Sequence, residues 1–210
     1  GKLARRVPVT VVPGGVDLDR FPQKPAAQAN PAPVLLTVRN LVRRMGLDRL
    51  RDAAGLLMHQ GRDYRLLIAG HGPLRHELEV LARPLGERCR FLGPVGEEDL
   101  ARLYQEADLF VLPTAAIEGF GLVILEAFAT GTPVVGTPVG AIPEQVARQG
   151  EGYVAEKASA ADLARAIARF LDRPDRIAPD RLRALAADLS WRRRAERLRD
   201  LYQQVIANRR

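Results

Sequence analysis

Two carboxylates separated by seven residues mark the stretch EGFGLVILEAFATGTPVV, which runs from Glu118 to Val135. The first, Glu118, precedes a Gly-Phe-Gly turn, and the second, Glu126, interrupts an apolar run. Ionised carboxylates accept hydrogen bonds from hydroxyl groups. The pair is therefore a candidate for binding a ligand that carries several hydroxyls.

The residues between the two glutamates predict an anion site. Gly119 and Gly121 let the backbone approach a ligand, and a helix beginning near Leu122 directs unpaired N–H groups and its positive dipole end toward that ligand. Glu126 lies one turn into this helix and leans back toward its start. A phosphate between two polyols, as in a nucleoside diphosphate sugar, fits this arrangement. A plainer interpretation stays open, in which Glu118 only favours the helix start and Glu126 is partly exposed.

Short apolar runs alternate with amphipathic segments along the chain. Strands are predicted at 7–12, 33–38, 65–70, 89–92, 108–113, 133–137 and 152–155, and helices at 47–59, 74–81, 97–107, 122–129, 142–147, 160–171, 182–189 and 191–207. Strands that are apolar on both faces indicate a doubly wound parallel sheet, an α/β and Rossmann-like fold class. Such sheets bind ligands at the carboxyl ends of their strands.

Two further glycine turns follow predicted strands. The segment AGHGPL contains Gly70 and Gly72, and the segment FLGPV contains Gly93. Each is compatible with a close approach of the backbone to a ligand, and equally with a simple strand-to-helix turn.

Composition narrows the chemistry. The chain has 210 residues and one cysteine, Cys89, so it has no internal disulfide. Its three histidines are scattered, and we expect no metal site and a reducing, cytoplasmic setting. The apolar runs are far shorter than the ~20 residues of a membrane-spanning helix. The chain begins with Gly1 and reads from the start like the middle of a protein, so we expect an excised part of a longer polypeptide.

The net charge of +7 comes almost entirely from arginine. It favours anionic partners, but much of the arginine alternates with acids on predicted helix faces, which is typical of a solvated surface. No helix-turn-helix or zinc pattern is present, and we expect no specific nucleic-acid partner. A basic nucleic-acid module that uses the arginine-rich last helix remains an alternative.

Taken together, five motifs resemble the family 4 retaining glycosyltransferases of the GT-B type, the glycosyl transferases group 1, in their C-terminal donor-binding domain. The motifs are AGHGPL, FLGPV, DLFVLP, EGFGLVILE and AFATGTPVVGTPVGAIPEQV. The flanks VVPGGVDLDRF and LSWRRRAERLRDLYQQV look like the family's crossover segment and closing helix. The resemblance implies a crossover from a missing N-terminal domain at 1–22, a linker at 23–33, the donor-binding domain at 34–189 and the closing helix at 190–210.

The resemblance also implies residue roles. Glu118 would bind hydroxyls of the donor sugar, and Glu126 would bind the ribose. The remaining donor-binding residues would be Gly70, Gly72, Arg90, Phe91, Leu92, Gly93, Gly119, Phe120, Gly121 and Leu122, with 90–93 beside the nucleobase and 119–122 offering backbone N–H groups to the sugar and phosphate.

The sequence departs from the family where the diphosphate is usually clamped. Asn40 and Met45 stand at the positions of an arginine and a lysine that stabilise the leaving group. Three neighbouring arginines are possible substitutes: Arg39, Arg43 and Arg44. A smaller departure is Gly14, which replaces an asparagine in the crossover turn.

The function implied by the resemblance is transfer of a sugar, as in a hexosyltransferase, from a nucleoside diphosphate to an acceptor hydroxyl with retention of configuration. It would need no metal and no cofactor besides the nucleotide sugar. We expect the chain to be inactive without its acceptor-binding domain and to contact a membrane peripherally in the full-length enzyme. The alternatives are a degenerate binding or assembly domain, favoured by Asn40 and Met45, and a related epimerase or phosphorylase, for which no cofactor-anchoring lysine follows a strand.

Overall fold

The computed structural model describes residues 9–25, 30–173 and 177–207. Five strands are formed: β1 Val34–Val38, β2 Arg65–Ala69, β3 Cys89–Gly93, β4 Leu109–Leu112 and β5 Val134–Gly136. The α-helices are α1 Leu47–His59, α2 Arg75–Ala82, α3 Glu97–Glu106, α4 Leu122–Thr130, α5 Ile142–Ala147, α6 Ala160–Leu171, α7 Pro179–Ala187 and α8 Trp191–Ala207. Two 3₁₀ segments lie at Arg43–Met45 and Arg83–Arg88.

All five strands are parallel and lie in the order β3-β2-β1-β4-β5. The predicted fold class is confirmed, a Rossmann-like parallel sheet with flanking helices. Chain order runs outward in both directions from β1, so the direction of winding changes between β1 and β4. In open α/β sheets this switch point is where ligands bind.

The apolar character of the strands follows from their burial. All four residues of β4 and the first four of β1 are buried. Helix α1 packs against α6, and α4 packs against α7 and α3, so that helices cover the sheet. Tyr104 of α3 contacts the rings of Phe21 and Phe110 in the same core.

Three predicted elements need correction. Residues 9–12 of the predicted strand 7–12 form no strand, because Val9 and Val11 are exposed (86% and 76%) and have no neighbouring strand; residues 7 and 8 lie outside the described residues. The predicted strand 152–155 is reduced to one bridge between Gly136 and Val154. Helix α7 begins three residues earlier than predicted, with Pro179 in its first turn, a position that favours proline.

The segments before β1 pack on the domain where they are described. Val16 pairs with Ser190, and its N–H donates to the carbonyl of Leu189 at 3.0 Å. The N–H of Lys24 donates to the carbonyl of Thr130, and Asn30 donates to the carboxylate of Asp108 at 2.8 Å. Residues 1–8 of the predicted crossover, 26–29 of the predicted linker and 208–210 of the predicted closing helix lie outside the described residues.

Helix α8 carries an exposed apolar stripe. The exposed large apolar side chains on it are Trp191, Leu198, Tyr202, Val205 and Ile206. Arg194 is the one described residue of α8 that is buried.

Candidate functional site

A buried ion pair lies at the switch point of the sheet. Arg39 follows β1, and its Nη2 donates to Oε2 of Glu118 at 2.5 Å and to Oγ1 of Thr114, which follows β4, at 2.9 Å. The two charged side chains are 7% and 14% exposed. The Nε of Arg39 is buried and has no hydrogen-bond partner among the described residues. Glu118 is thus held by the end of the neighbouring strand.

The backbone of Glu118 is fixed by the segment that follows β5. Its carbonyl accepts a hydrogen bond from the N–H of Ala141 at 3.0 Å. Gly140 has a φ of +56°, and a Cβ there would lie 2.1 Å from the carbonyl oxygen of Glu118, so only glycine allows this approach. Oγ1 of Thr137 donates to the carbonyl of Thr114 at 2.7 Å. The segments that follow β1, β4 and β5 therefore meet around Glu118.

The predicted glycine turns hold the neighbouring loops together. A Cβ at Gly70, whose φ is +125°, would lie 2.0 Å from the carbonyl oxygen of Arg39. The N–H of Gly70 donates to the carbonyl of Gly93 at 2.7 Å, and the N–H of Leu41 donates to the carbonyl of His71 at 2.8 Å. The loops after β1, β2 and β3 thus form one continuous surface.

A cavity of about 420 Å³ opens on this surface. Its wall includes Arg39, Asn40, Met45, Gly70, His71, Pro94, Val95 and Val123. The volume is in the range of pockets that hold small ligands. Asn40 and Met45 contribute no charge to the wall.

Glu126 lies one turn inside α4 and has a buried partner. The hydroxyl of Tyr104, a fully buried side chain, donates to its Oε2 at 2.9 Å. Burial raises the pKa of the Glu126 carboxyl, while the hydrogen bond from Tyr104 and the charge of Arg20 lower it. The pKa of Tyr104 is raised well above its usual range, by burial first and then by the charge of Glu126.

Glu126 lines a second cavity, of about 210 Å³. The wall also includes Gly15, Asp17, Arg20, Leu122 and Trp191, so it combines the predicted crossover, α4 and α8. Leu100 lines both cavities, which are therefore adjacent. Glu118 is not among the described residues that line either cavity, but its partner Arg39 is part of the wall of the 420 Å³ cavity. The first residues of α4 lie between the two glutamates in the chain.

Helix α4 begins at Leu122, where the sequence predicted it. Gly121 precedes the helix with a φ of +80°, and no side chain caps the first turn. Gly119 is exposed, and a Cβ there would meet no atom within 4 Å. The rings and methyls of Phe120 and Leu122 pack beside Gly14 of the predicted crossover.

The other predicted residues lie around the cavities. Arg43 is exposed and 4.0 Å from Glu77, and Arg44 donates from Nη1 to the carbonyl of Ile117 at 3.3 Å. Arg90 is exposed, and residues 90–93 are not among the described residues that line the 420 Å³ cavity. Gly72 is not among them either and packs against the backbone of Leu41.

The comparison with protein families decides the membership of the chain. Residues 19–187 match the model of the family described as Glycosyl transferases group 1. This chain belongs to that family. The match spans β1 to the end of α7 and therefore contains both glutamates and the wall of the 420 Å³ cavity. Part of the wall of the second cavity, including Gly15, Asp17 and Trp191, lies outside it.

Two relatives of this group 1 glycosyltransferase domain are longer proteins that the chain matches over about half of their length. It is 35% identical to a D-inositol 3-phosphate glycosyltransferase of Nocardia farcinica, over 97% of this chain and 49% of the relative. It is 33% identical to a GDP-mannose-dependent alpha-(1-6)-phosphatidylinositol monomannoside mannosyltransferase of Mycobacterium tuberculosis, over 79% of this chain and 47% of the relative. The chain therefore spans about half the length of the relatives it matches.

A solved structure has the same fold. The sucrose-phosphate synthase of Thermosynechococcus elongatus superposes with a TM-score of 0.79 at 31% sequence identity, over 94% of this chain and 52% of that chain. The recognised family and the fold class are thus both confirmed.

Sequence reasoning missed several residues of this group 1 site. His71, Pro94 and Val95 lie directly beside the predicted glycine turns, so the turns were a usable signal for them. Thr114 had the signal of following a buried strand. No sequence signal pointed to Tyr104 or Arg20, because their roles depend on how α3 and the segment before β1 pack on α4.

The described residues contain neither a cluster of metal ligands nor a membrane-spanning helix. Residues 9–25, 30–173 and 177–207 contain no group of three histidine, cysteine or acidic side chains arranged to hold a metal ion. Within those same ranges, no helix has the length and apolarity to cross a membrane.

Proposed function

We propose that this chain is the donor-binding part of a retaining glycosyltransferase, which moves a sugar from a nucleoside diphosphate to an acceptor hydroxyl. The observation that carries the proposal is the position of Glu118 and Glu126 on either side of the start of α4, beside a cavity at the switch point of the sheet. The two relatives named above, which are glycosyltransferases by name, support it.

The proposed donor extends across both cavities. Glu126 binds the ribose hydroxyls, the backbone N–H groups at 119–122 bind the sugar and the diphosphate, and Glu118 binds the sugar. The nucleobase lies along the end of β3, at residues 90–93 and at Pro94 and Val95 beyond them. A helix start favours an anion through its N–H groups and its dipole, and this needs no metal.

The positive charge that would neutralise the diphosphate comes from the loop after β1. Arg39 is engaged by Glu118, so Arg43 and Arg44 are the candidates that remain accessible. Arg44→Ala should then weaken binding of UDP, GDP or ADP, because a charge-assisted contact is lost. Unchanged affinity in titration calorimetry would remove Arg44 from the site.

The acceptor would be bound by a further domain. The relatives are about twice as long as this chain, and the exposed apolar stripe of α8 offers a surface against which such a domain could pack. We therefore expect the isolated chain to bind a nucleotide sugar without transferring the sugar. We also propose that the complete enzyme acts in the cytoplasm, at the surface of a membrane. Any sugar transfer by the homogeneous chain would contradict the first of these expectations.

The direct test is a thermal-shift series with UDP, GDP and ADP sugars. A ligand at a hundredfold excess over its Kd stabilises the native state by about 2.7 kcal/mol. For a domain of this size that corresponds to a rise in Tm of roughly 5–11 °C. Glu126→Ala should reduce the rise, whereas Glu156→Ala, an exposed glutamate outside both cavities, should not.

The result also separates the two main interpretations. A shift with one nucleotide sugar and its loss in Glu126→Ala would support a donor site. The absence of a shift with every nucleotide sugar would instead favour a degenerate domain, for which Asn40 and Met45 are the supporting residues.

A further inference from the structure

Arg39 places a positive charge in a nearly buried position at the end of β1. Its side chain is 7% exposed, and its Nη2 has two partners, Glu118 and Thr114. A buried guanidinium loses its hydration and is tolerated only when it is paired and hydrogen-bonded. The position of Arg39 therefore depends on the carboxylate of Glu118.

The contacts leave part of that carboxylate available. Arg39 donates to Oε2, and Oγ1 of Thr114 lies 3.5 Å from the same oxygen. Within the described residues Oε1 has no such contact, and a carboxylate oxygen accepts hydrogen bonds from hydroxyls. The ion pair thus fixes the direction of the oxygen that a ligand would meet.

Both ends of Glu118 are restrained. The N–H of Ala141 holds its carbonyl, and Gly140 is packed against the same carbonyl group. Arg39 is the charged group that holds the other end, the carboxylate. Loss of Arg39 would free the side chain while leaving the backbone in place.

The neighbouring residue does not take over this charge. Asn40 is exposed and neutral, and it lines the 420 Å³ cavity. The positive charge of the β1 end is thus directed to Glu118 and away from the diphosphate.

We infer that Arg39 is a positioning residue for Glu118, which orients the carboxylate toward the donor sugar and has no direct contact with the diphosphate. The inference rests on the proposed function, because it takes Glu118 to bind the sugar. Recognition of the sugar and recognition of the nucleotide should then be separable. A change at Arg39 should weaken recognition of the sugar and leave recognition of the nucleotide unchanged.

The test compares two ligands by titration calorimetry. One is the nucleoside diphosphate, UDP, GDP or ADP, that stabilises the protein most, and the other is the corresponding nucleotide sugar. In Arg39→Gln the affinity for the sugar nucleotide should fall roughly tenfold relative to the free diphosphate, which is the size expected for one charged hydrogen bond. Glu118→Gln should shift the same ratio, and the double variant should lose no more than either single variant.

Two variants separate positioning from general damage. Arg102→Gln removes an exposed arginine of α3 and should leave both affinities unchanged. Arg39→Lys keeps the positive charge on a shorter side chain, so it should fold and should lose less of the preference for the nucleotide sugar than Arg39→Gln. It replaces Arg39→Gln in the test if that variant does not fold.

Four outcomes would contradict the inference. Equal loss of both ligands in Arg39→Gln would assign Arg39 to the diphosphate. Unchanged affinities for both ligands in Arg39→Gln, or additive losses in the double variant, would show that Arg39 does not act through Glu118. If the wild-type chain bound no nucleotide, the proposed function would fail and the inference would fail with it, whereas the first three outcomes leave the proposed function intact.

Discussion

Tyr104→Phe tests how the core of the domain controls Glu126. The substitution removes one hydroxyl, which donates to the Glu126 carboxylate at 2.9 Å from a fully buried ring. The ring itself remains and keeps its contacts with Phe21 and Phe110, 6.0 and 5.2 Å away between centroids. The measured change should therefore come from the hydrogen bond and not from a large cavity.

The expected loss depends on the charge of Glu126. A hydrogen bond to a charged group contributes about 1.5–3 kcal/mol, and a neutral one contributes about 1 kcal/mol. At a pH where Glu126 is ionised, Tyr104→Phe should lower the free energy of unfolding by the larger amount, a fall in Tm of roughly 3–12 °C. At a pH where Glu126 is protonated, the loss should be the smaller one.

The direction of the pH dependence follows from the pKa of Glu126. Burial raises this pKa in the folded chain, so the folded state binds the proton more tightly than the unfolded state does. The contribution of Glu126 to the free energy of unfolding therefore falls as the pH rises from the ordinary glutamate pKa through the raised one. Tyr104 lowers the raised pKa, so its removal should extend this decline to higher pH.

Urea denaturation from about pH 4 to about pH 8 would measure these effects. The series needs the wild type, Tyr104→Phe, Glu126→Gln and the double variant, because the difference between variants cancels the other titrating groups. In the Glu126→Gln background the substitution at Tyr104 should lose its pH dependence. A loss that is the same at every pH, or that keeps its full size without the Glu126 carboxylate, would refute the reasoning.

Three shorter predictions concern other parts of the structure. Gly140→Ala should lower both Tm and affinity for the nucleotide sugar, because its Cβ would overlap the Glu118 carbonyl; unchanged calorimetry would contradict this. Arg183→Met removes a donor to three backbone carbonyls, two of them in the segment 18–21, so hydrogen exchange in that segment should accelerate. Burial raises the pKa of Cys89 to about 11, so its reaction with iodoacetamide at neutral pH should be slow until the chain is unfolded in urea.

Most elements were predictable because their signals are local. Helices 47–59, 142–147, 160–171 and 191–207 have the predicted bounds, and Ser159 caps the third of them by accepting the N–H of Asp162. Residues 9–12 of the predicted strand 7–12 form no strand, because strand formation needs a neighbouring strand, which an apolar run alone does not provide.

The site was predictable in its parts but not in its contacts. The glutamate spacing and the glycine turns located the carboxyl ends of the strands. The contact between Arg39 and Glu118 spans 79 positions and requires β1 to lie beside β4. No local pattern encodes that neighbourhood. The hydrogen bond from Tyr104 to Glu126 likewise requires α3 to pack on α4.

The buried ion pair bears on the choice between a donor site and a degenerate domain. A buried pair contributes little to stability, and well-packed apolar residues in its place are often as stable or more stable. The fold therefore does not require Arg39 and Glu118 as an ion pair, and a carboxylate held at the switch point of the sheet is explained more simply by a ligand that it binds. The neutral residues Asn40 and Met45 weaken the expected clamp on the diphosphate, but they do not touch this pair. For these reasons we favour the proposed donor site, with a changed phosphate clamp, over the degenerate domain.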